Sequence, residues 1–258
     1  MAGLLRLIAL LAAAWCATAV PASAAPGFAD WSAIVVSGDA EGAEGGPTEA
    51  FDNARRDVAS ALVDAGFDRR NLRQFSVRPQ AYADTRPALA ELNGIYDAMI
   101  DLGARAPGGC LVYITSHGLP QGVLIGEDIL PPGVLGAMLD ESCGDRPTVV
   151  VVSACYSGVF VRPLARRNRM IMTAARADRT SFGCGEDDLY PYFDDCVLRA
   201  LPTARDFLAL APSVRGCVAA REKAEGMSPP SEPQVSIGVA ARRWLLQNPF
   251  SNPSARRN

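Results

Sequence analysis

The chain has 258 residues, 49% hydrophobic and 21% charged, an ordinary globular balance long enough to bury one sizeable α/β core. With 25 Lys+Arg against 28 Asp+Glu, the net charge of −3 gives no excess positive field, so a nucleic-acid partner is not indicated. A single histidine excludes sites built on two or three imidazoles, H-E-x-x-H metallopeptidases and three-histidine zinc hydrolases among them.

The first predicted element is a leader. Arg6 precedes an almost unbroken apolar run over residues 7–20, and helix-breaking Pro21 is followed by Ala22-Ser23-Ala24. Charge, apolar stretch and small-residue site make a secretory signal over residues 1–24, cleaved after Ala24. The run is shorter than the ~20 residues of a membrane span. The expectation is an exported chain, periplasmic or secreted, with no membrane span in its mature form. Residues 25–258 read as one domain with a loose polar tail after about 249; the Ser228-Pro229-Pro230-Ser231 stretch is the best alternative boundary, but too little chain follows it to fold alone.

Residues 31–37 (W-S-A-I-V-V-S) predict a first buried strand, ended by a Gly/Asp/Glu-rich loop through Pro47. Thr48 stands where it can cap a helix carrying Ala54, Val58, Ala61, Leu62 and Ala65 at helical spacing, closed by Gly66. Residues 72–77 make a short second strand. An amphipathic stretch follows Pro87, with Leu89, Leu92, Tyr96, Met99 and Ile100, and closes near Gly103. Residues 110–115 (C-L-V-Y-I-T) are a third strand; Pro131-Pro132 opens a helix to about Leu139; T-V-V-V-V-S after Pro147 is the fourth strand and the most apolar run of the mature chain. Residues 170–175 form a fifth strand, 189–201 a helix, 235–238 a last strand and 242–246 a terminal helix. Continuous Val/Ile-rich strands separated by helices predict a mostly parallel sheet covered on both faces, with ligands gathered at the carboxyl ends of its strands.

Removing the leader takes Cys16 with it and leaves Cys110, Cys143, Cys155, Cys184, Cys196 and Cys217. No C-x-x-C pair exists, against both a zinc ribbon and a thioredoxin-type site, while an exported compartment permits disulfides. If one thiol is kept reactive, at least one more must stay unpaired or bridge to another chain. Cys184, Cys196 and Cys217 are the leading bridge candidates, without a fixed connectivity.

The chemistry sits at two strand ends. His117, the only histidine, follows the third strand in Y-I-T-S-H-G, and Cys155 follows the fourth in V-V-V-V-S-A-C-Y-S-G. Sequential strands are usually neighbours, so the imidazole and the thiol are expected on adjacent loops at one sheet edge. There an imidazole can promote the thiolate that acts as nucleophile. Gly118, lacking a Cβ, can bring its N–H to a developing oxyanion together with the Cys155 N–H. Competing cysteine chemistries fail on spacing. A phosphatase C-x-x-x-x-x-R loop would need arginine at Val161, and a G-x-C-x-G elbow would need glycine at Ser153. No Walker A or G-x-G-x-x-G sequence occurs, no D-x-D-x-D-G calcium loop lies among Asp178, Glu186, Asp187, Asp188, Asp194 and Asp195, and neither cofactor nor metal is assigned.

Y-I-T-S-H-G and V-V-V-V-S-A-C-Y-S-G resemble the paired motifs of the legumain-type cysteine peptidases, a family with a caspase-like fold that includes the catalytic subunit of the glycosylphosphatidylinositol transamidase. The resemblance extends to T-A-A-R-A-D-R-T-S-F-G-C and, more loosely, to Y-F-D-D, covering residues 31 to about 201. It implies a three-layer α/β sandwich, a Cys155/His117 dyad without an obligatory third residue, and an oxyanion hole from the Gly118 and Cys155 N–H groups. For substrate binding it implies Ser181 and Asp195, with Asn53 or Arg55 as alternatives from F-D-N-A-R-R. Tyr156 stands where legumains carry an acidic residue, a departure from asparagine specificity. The acidic Glu186–Asp188 run could instead favour a basic residue at the cleaved position, or be a solvated loop.

The resulting expectation is an exported cysteine endopeptidase acting on peptide or protein substrates through a thioester acyl-enzyme. The alternatives are a transpeptidase or transamidase, a small-molecule cysteine hydrolase, and a catalytically silent peptide-binding module on the same fold. The oligomeric state is left open.

Overall fold

Apolar runs with a period of two on each face build the centre of the molecule. In a computed structural model that describes residues 27–251, seven strands form one sheet: β1 (Trp31–Ser37), β2 (Leu72–Ser76), β3 (Ala88–Leu89), β4 (Gly109–Thr115), β8 (Thr148–Ser153), β9 (Arg169–Thr173) and β10 (Gln234–Ile237). Their order is β10-β9-β8-β4-β1-β2-β3. Every pair is parallel except β10 on β9. A small antiparallel sheet of β5 (Gly118–Leu119), β6 (Gly122–Ile125) and β7 (Asp128–Leu130) leaves the end of β4. The expected signal segment with its Ala24 site, and the tail beyond 251, lie outside the described residues.

Helices cover both faces. On one side α1 (Ala50–Asp64), α5 (Tyr192–Ala200), α6 (Phe207–Ala224) and α7 (Val239–Gln247) pack on Ala33, Val35, Leu111, Tyr113, Val149 and Met170. On the other, α2 (Leu92–Arg105), α3 (Pro132–Ser142) and α4 (Val161–Leu164) pack on Ile34, Val36, Val112, Ile114, Val150 and Ile171. In β1, β4, β8 and β9 alternate residues thus serve opposite cores and every position is buried, as in parallel strands between two helix layers. The N-cap of α1 is Glu49, without a side-chain capping bond; the expected cap Thr48 stands one residue earlier and accepts from Ala50 N at 3.2 Å.

Several elements depart from expectation: Leu89, expected in the amphipathic stretch, lies in the edge strand β3 before α2 begins, and the short α4 was not foreseen. Residues 118–130 form a meander where no strand is predicted, and α6 is an 18-residue helix with Pro212 inside it. Its buried Phe207, Leu210, Ala211, Val214, Val218 and Glu222 follow helical spacing, but the internal proline disguises it. Asp206 caps the helix, its carboxylate accepting from Ala209 N at 2.8 Å.

Four of the six cysteines among the described residues pair. Cys110 at the start of β4 bridges to Cys143 after α3, and Cys196 on α5 bridges to Cys217 on α6. Cys155 and Cys184 stay free.

Candidate active site

Strand order decides what meets at the carboxyl edge. β4 and β8 are adjacent and in register, Thr115 opposite Ser153, so the loops carrying His117 and Cys155 emerge side by side. The sheet reverses its winding between β1 and β4, the place where open α/β sheets gather ligands. The β1 loop rises beside the other two.

Gly118 lies directly on the Cys155 backbone. A Cβ there would stand 2.9 Å from Ala154 Cβ and 3.1 Å from the Cys155 carbonyl carbon, and would overlap the Cys155 carbonyl oxygen. Only a glycine allows this approach. Beyond the cysteine, Tyr156 turns the chain with φ 57°, a left-handed conformation uncommon for a bulky residue. Its N–H donates to Arg179 O at 2.7 Å, which ties this turn to the loop after β9.

The imidazole is half-buried and oriented by groups other than Cys155. His117 Nε2 lies 2.9 Å from the Glu41 carbonyl oxygen. A carbonyl only accepts, so this nitrogen carries the proton and Nδ1 has the free lone pair. Phe51 at the start of α1 meets the ring edge to face, centroids 5.1 Å apart. The β1 loop and α1 therefore fix the ring without any carboxylate. A backbone carbonyl has no signature in sequence, so Glu41 was not foreseeable.

The sulfur is held by the loop after β9. Ser181 N donates to Cys155 Sγ at 3.3 Å, and the Ser181 hydroxyl lies 3.6 Å from the sulfur. The thiol and the imidazole do not hydrogen-bond to each other, as is common before a substrate tightens a site. The loop is itself anchored: Arg176 pairs with Asp178 and Glu232, Arg176 N donates to Ser231 O at 2.8 Å, and Tyr192 N donates to Phe182 O at 2.9 Å.

Cys184 has a different environment. Burial first, then negative charge on Cys155 and Asp188, push its thiol up to about 11, so it stays protonated at neutral pH.

Of the residues suggested for substrate binding, Ser181 reaches the sulfur. Arg55 does not line an open pocket. It is fully buried, its guanidinium held by Asp52 at 2.8 Å and by Gln74 and Thr85. The physical reason is the phase of α1, which points position 55 at β2. Asn53 bridges α1 to the acidic loop, Nδ2 donating to Leu189 O at 3.2 Å. Asp195 is held by Arg199 and Arg221, each at 2.9 Å. Its neighbour Asp194 points to the strand ends instead. There it accepts from Tyr113, from Thr115 Oγ1 at 2.8 Å and from Ser153 Oγ at 2.7 Å. In the acidic loop, Glu186 accepts from Gly46 N at 3.0 Å and Asp188 from Gly185 N at 2.7 Å, so these carboxylates brace backbone at the rim.

Residues 105–204 match the family model described as the Peptidase C13 family, a stretch that includes His117, Gly118, Cys155, Ser181 and Asp194. No curated protein sequence matches the chain. Among solved structures, caspase-1 from Spodoptera frugiperda matches with a TM-score of 0.59 at 15% identity, covering 83% of this chain and 88% of that one. At that identity the likeness is one of fold. The fold is therefore caspase-like, and with the Peptidase C13 segment it supports the resemblance to the legumain-type cysteine peptidases carried by the strand-end motifs.

Proposed function

From a caspase-like fold that carries a Peptidase C13 segment, we propose that this chain is an exported cysteine endopeptidase with Cys155 as nucleophile and His117 as general acid–base. The observation that carries the reading is the packing of Gly118 on the Cys155 backbone, with the His117 imidazole held by the Glu41 carbonyl and the Cys155 sulfur by Ser181 N.

A peptide carbonyl seated over the Gly118 and Cys155 N–H groups would have its oxygen stabilised as charge develops there. Cys155 passes its thiol proton to His117 Nδ1 as Sγ attacks the carbonyl carbon. The C–N bond breaks as His117 delivers a proton from Nδ1 to the departing amine, leaving a thioester on the sulfur. Water, deprotonated by the same nitrogen, then releases the acid and frees the thiol. The Glu41 carbonyl, accepting from Nε2, steadies the imidazolium that carries the proton between steps. Ser181 N–H, aimed at the sulfur, suits the charge of a thiolate. Export is supported by the leader pattern and by two disulfides in the folded domain.

Cys155→Ala is expected to abolish peptide cleavage and labelling by a thiol-directed probe. Labelling that survives the substitution would overturn the assignment. N-terminal sequencing is expected to find the mature chain beginning at Ala25; a chain still beginning at Met1 would end the export reading.

A further inference from the structure

The buried carboxyl of Asp194 takes no part in the chemistry above, yet it sits where both strand ends can be reached at once. Tyr113 and Thr115 are two apart on β4, and Ser153 lies opposite Thr115 on β8, so all three hydroxyls project from one face of the sheet. Asp194, in the first turn of α5, accepts from all three: Oδ1 from Tyr113, Oδ2 from Thr115 and Ser153. It is fully buried and has no cation among these partners. A carboxylate so placed is costly to bury. Thr115 precedes His117 by two residues and Ser153 precedes Cys155 by two. One carboxyl therefore ties together the roots of the two loops that carry the proposed dyad.

We propose that Asp194 is a positioning residue which fixes the ends of β4 and β8 in one relation and so sets how His117 faces Cys155. The inference rests on the peptidase reading above. In the ionised form both oxygens accept, and three donors are satisfied. Protonation turns one oxygen into a donor, and at least one of the three hydroxyls must turn away or lose its partner. Burial pushes this carboxyl up to about 6, against the three hydroxyls that hold it down. Tyr113 is raised well above its ordinary value, chiefly by burial, so it remains a donor at every working pH. Charged groups on the neighbouring helices pair among themselves, Asp52 with Arg55 on α1 and Asp195 with Arg199 and Arg221 across α5 and α6. The lock is complete above about pH 6 and loosens below it.

The experiment compares Asp194→Asn and Tyr113→Phe with wild type, reading kcat, KM and the rate of Cys155 labelling from pH 4.5 to 8. For Asp194→Asn, kcat is expected to fall roughly 10- to 100-fold, the range for a misplacement of about 1 Å. KM should stay within about threefold, as it does when only transition-state alignment is lost, and the step in rate near pH 6 should vanish. Tyr113→Phe keeps the ring and removes one donor that holds the carboxyl down, so the acidic step is expected to move to higher pH. This second variant decides the matter if Asp194→Asn does not fold. Unchanged kcat and an unmoved acidic step in these variants would overturn the proposal. Failure of the peptidase reading shows separately, as absence of wild-type cleavage and of Cys155 labelling.

Discussion

Replacing Gly118 by alanine is the sharpest perturbation of the geometry. The added Cβ would stand 2.9 Å from Ala154 Cβ and 3.1 Å from the Cys155 carbonyl carbon, besides overlapping its oxygen. Unstrained carbon contacts are about 3.5–4.0 Å, so the two loops must part by roughly 1 Å. The neighbours are mostly backbone and cannot swing aside. Overpacking of this kind costs about 1–3 kcal/mol, which for a domain of this size lowers Tm by roughly 2–12 °C. The same displacement separates the two proposed oxyanion donors, and a misplacement of about 1 Å can cost ~100-fold in rate. The assay is kcat/KM on a peptide substrate together with a thermal melt, with Gly216→Ala as control. Gly216 is on the exposed side of α6, where a Cβ meets nothing within 4 Å, so alanine there should leave activity intact and add up to about 1 kcal/mol. Wild-type kcat/KM and Tm in Gly118→Ala would refute the close approach on which the oxyanion site depends.

Three further outcomes follow from the same structure. Cys184, with its thiol pushed up to about 11, is expected to alkylate slowly at pH 7.5, so that peptide mapping finds label on Cys155 and Cys184→Ala leaves the labelling rate unchanged. Removing the Cys196–Cys217 bridge, whose ends are 21 residues apart, by a double alanine substitution should cost about 3 kcal/mol by loop-closure entropy, read as a lower denaturation midpoint. For Asp194 the folded carboxyl binds its proton more tightly than the unfolded one, at about 6 against 3.8. Stability from this group is therefore full below the unfolded value and falls as pH rises through about 4 to 6. At ~1.4 kcal/mol per unit the loss is roughly 3 kcal/mol, and denaturant titrations should show that slope in wild type and not in Asp194→Asn.

Much of this was legible in residues alone, for identifiable reasons. W-S-A-I-V-V-S and T-V-V-V-V-S are strands with the bounds their composition predicts, because an apolar run bracketed by Gly, Asp and Pro has few other uses. With C-L-V-Y-I-T read as a strand as well, placing His117 and Cys155 at one edge needed only its adjacency to T-V-V-V-V-S, and β4 does pair with β8. The balance of cysteines was only partly readable: keeping one thiol required a second unpaired one, but that one is Cys184, expected in a bridge, while Cys110 and Cys143, not among the candidates, pair across β4 and α3. What escaped depended on phase or on backbone. Successive carboxylates at a helix start point about 100° apart, so F-D-D could not say that Asp194 faces the strand ends while Asp195 faces Arg221. Arg55 was misplaced for the same reason, its helical phase turning it inward to Asp52. Pro212 hid α6, the direction of β10 has no local signature, and the Glu41 carbonyl that orients His117 is a group every residue possesses.

If His117 and Cys155 act as one unit, the most direct measurement is the rate at which a peptidyl electrophile acylates or alkylates Cys155 in wild type and in His117→Ala, with the site confirmed by mass mapping. Loss of a positioned acid–base is expected to slow that reaction by ~100-fold or more, with the fold unchanged by circular dichroism. An equal rate in the two proteins would mean that the sulfur reacts without the imidazole, and that no dyad operates here.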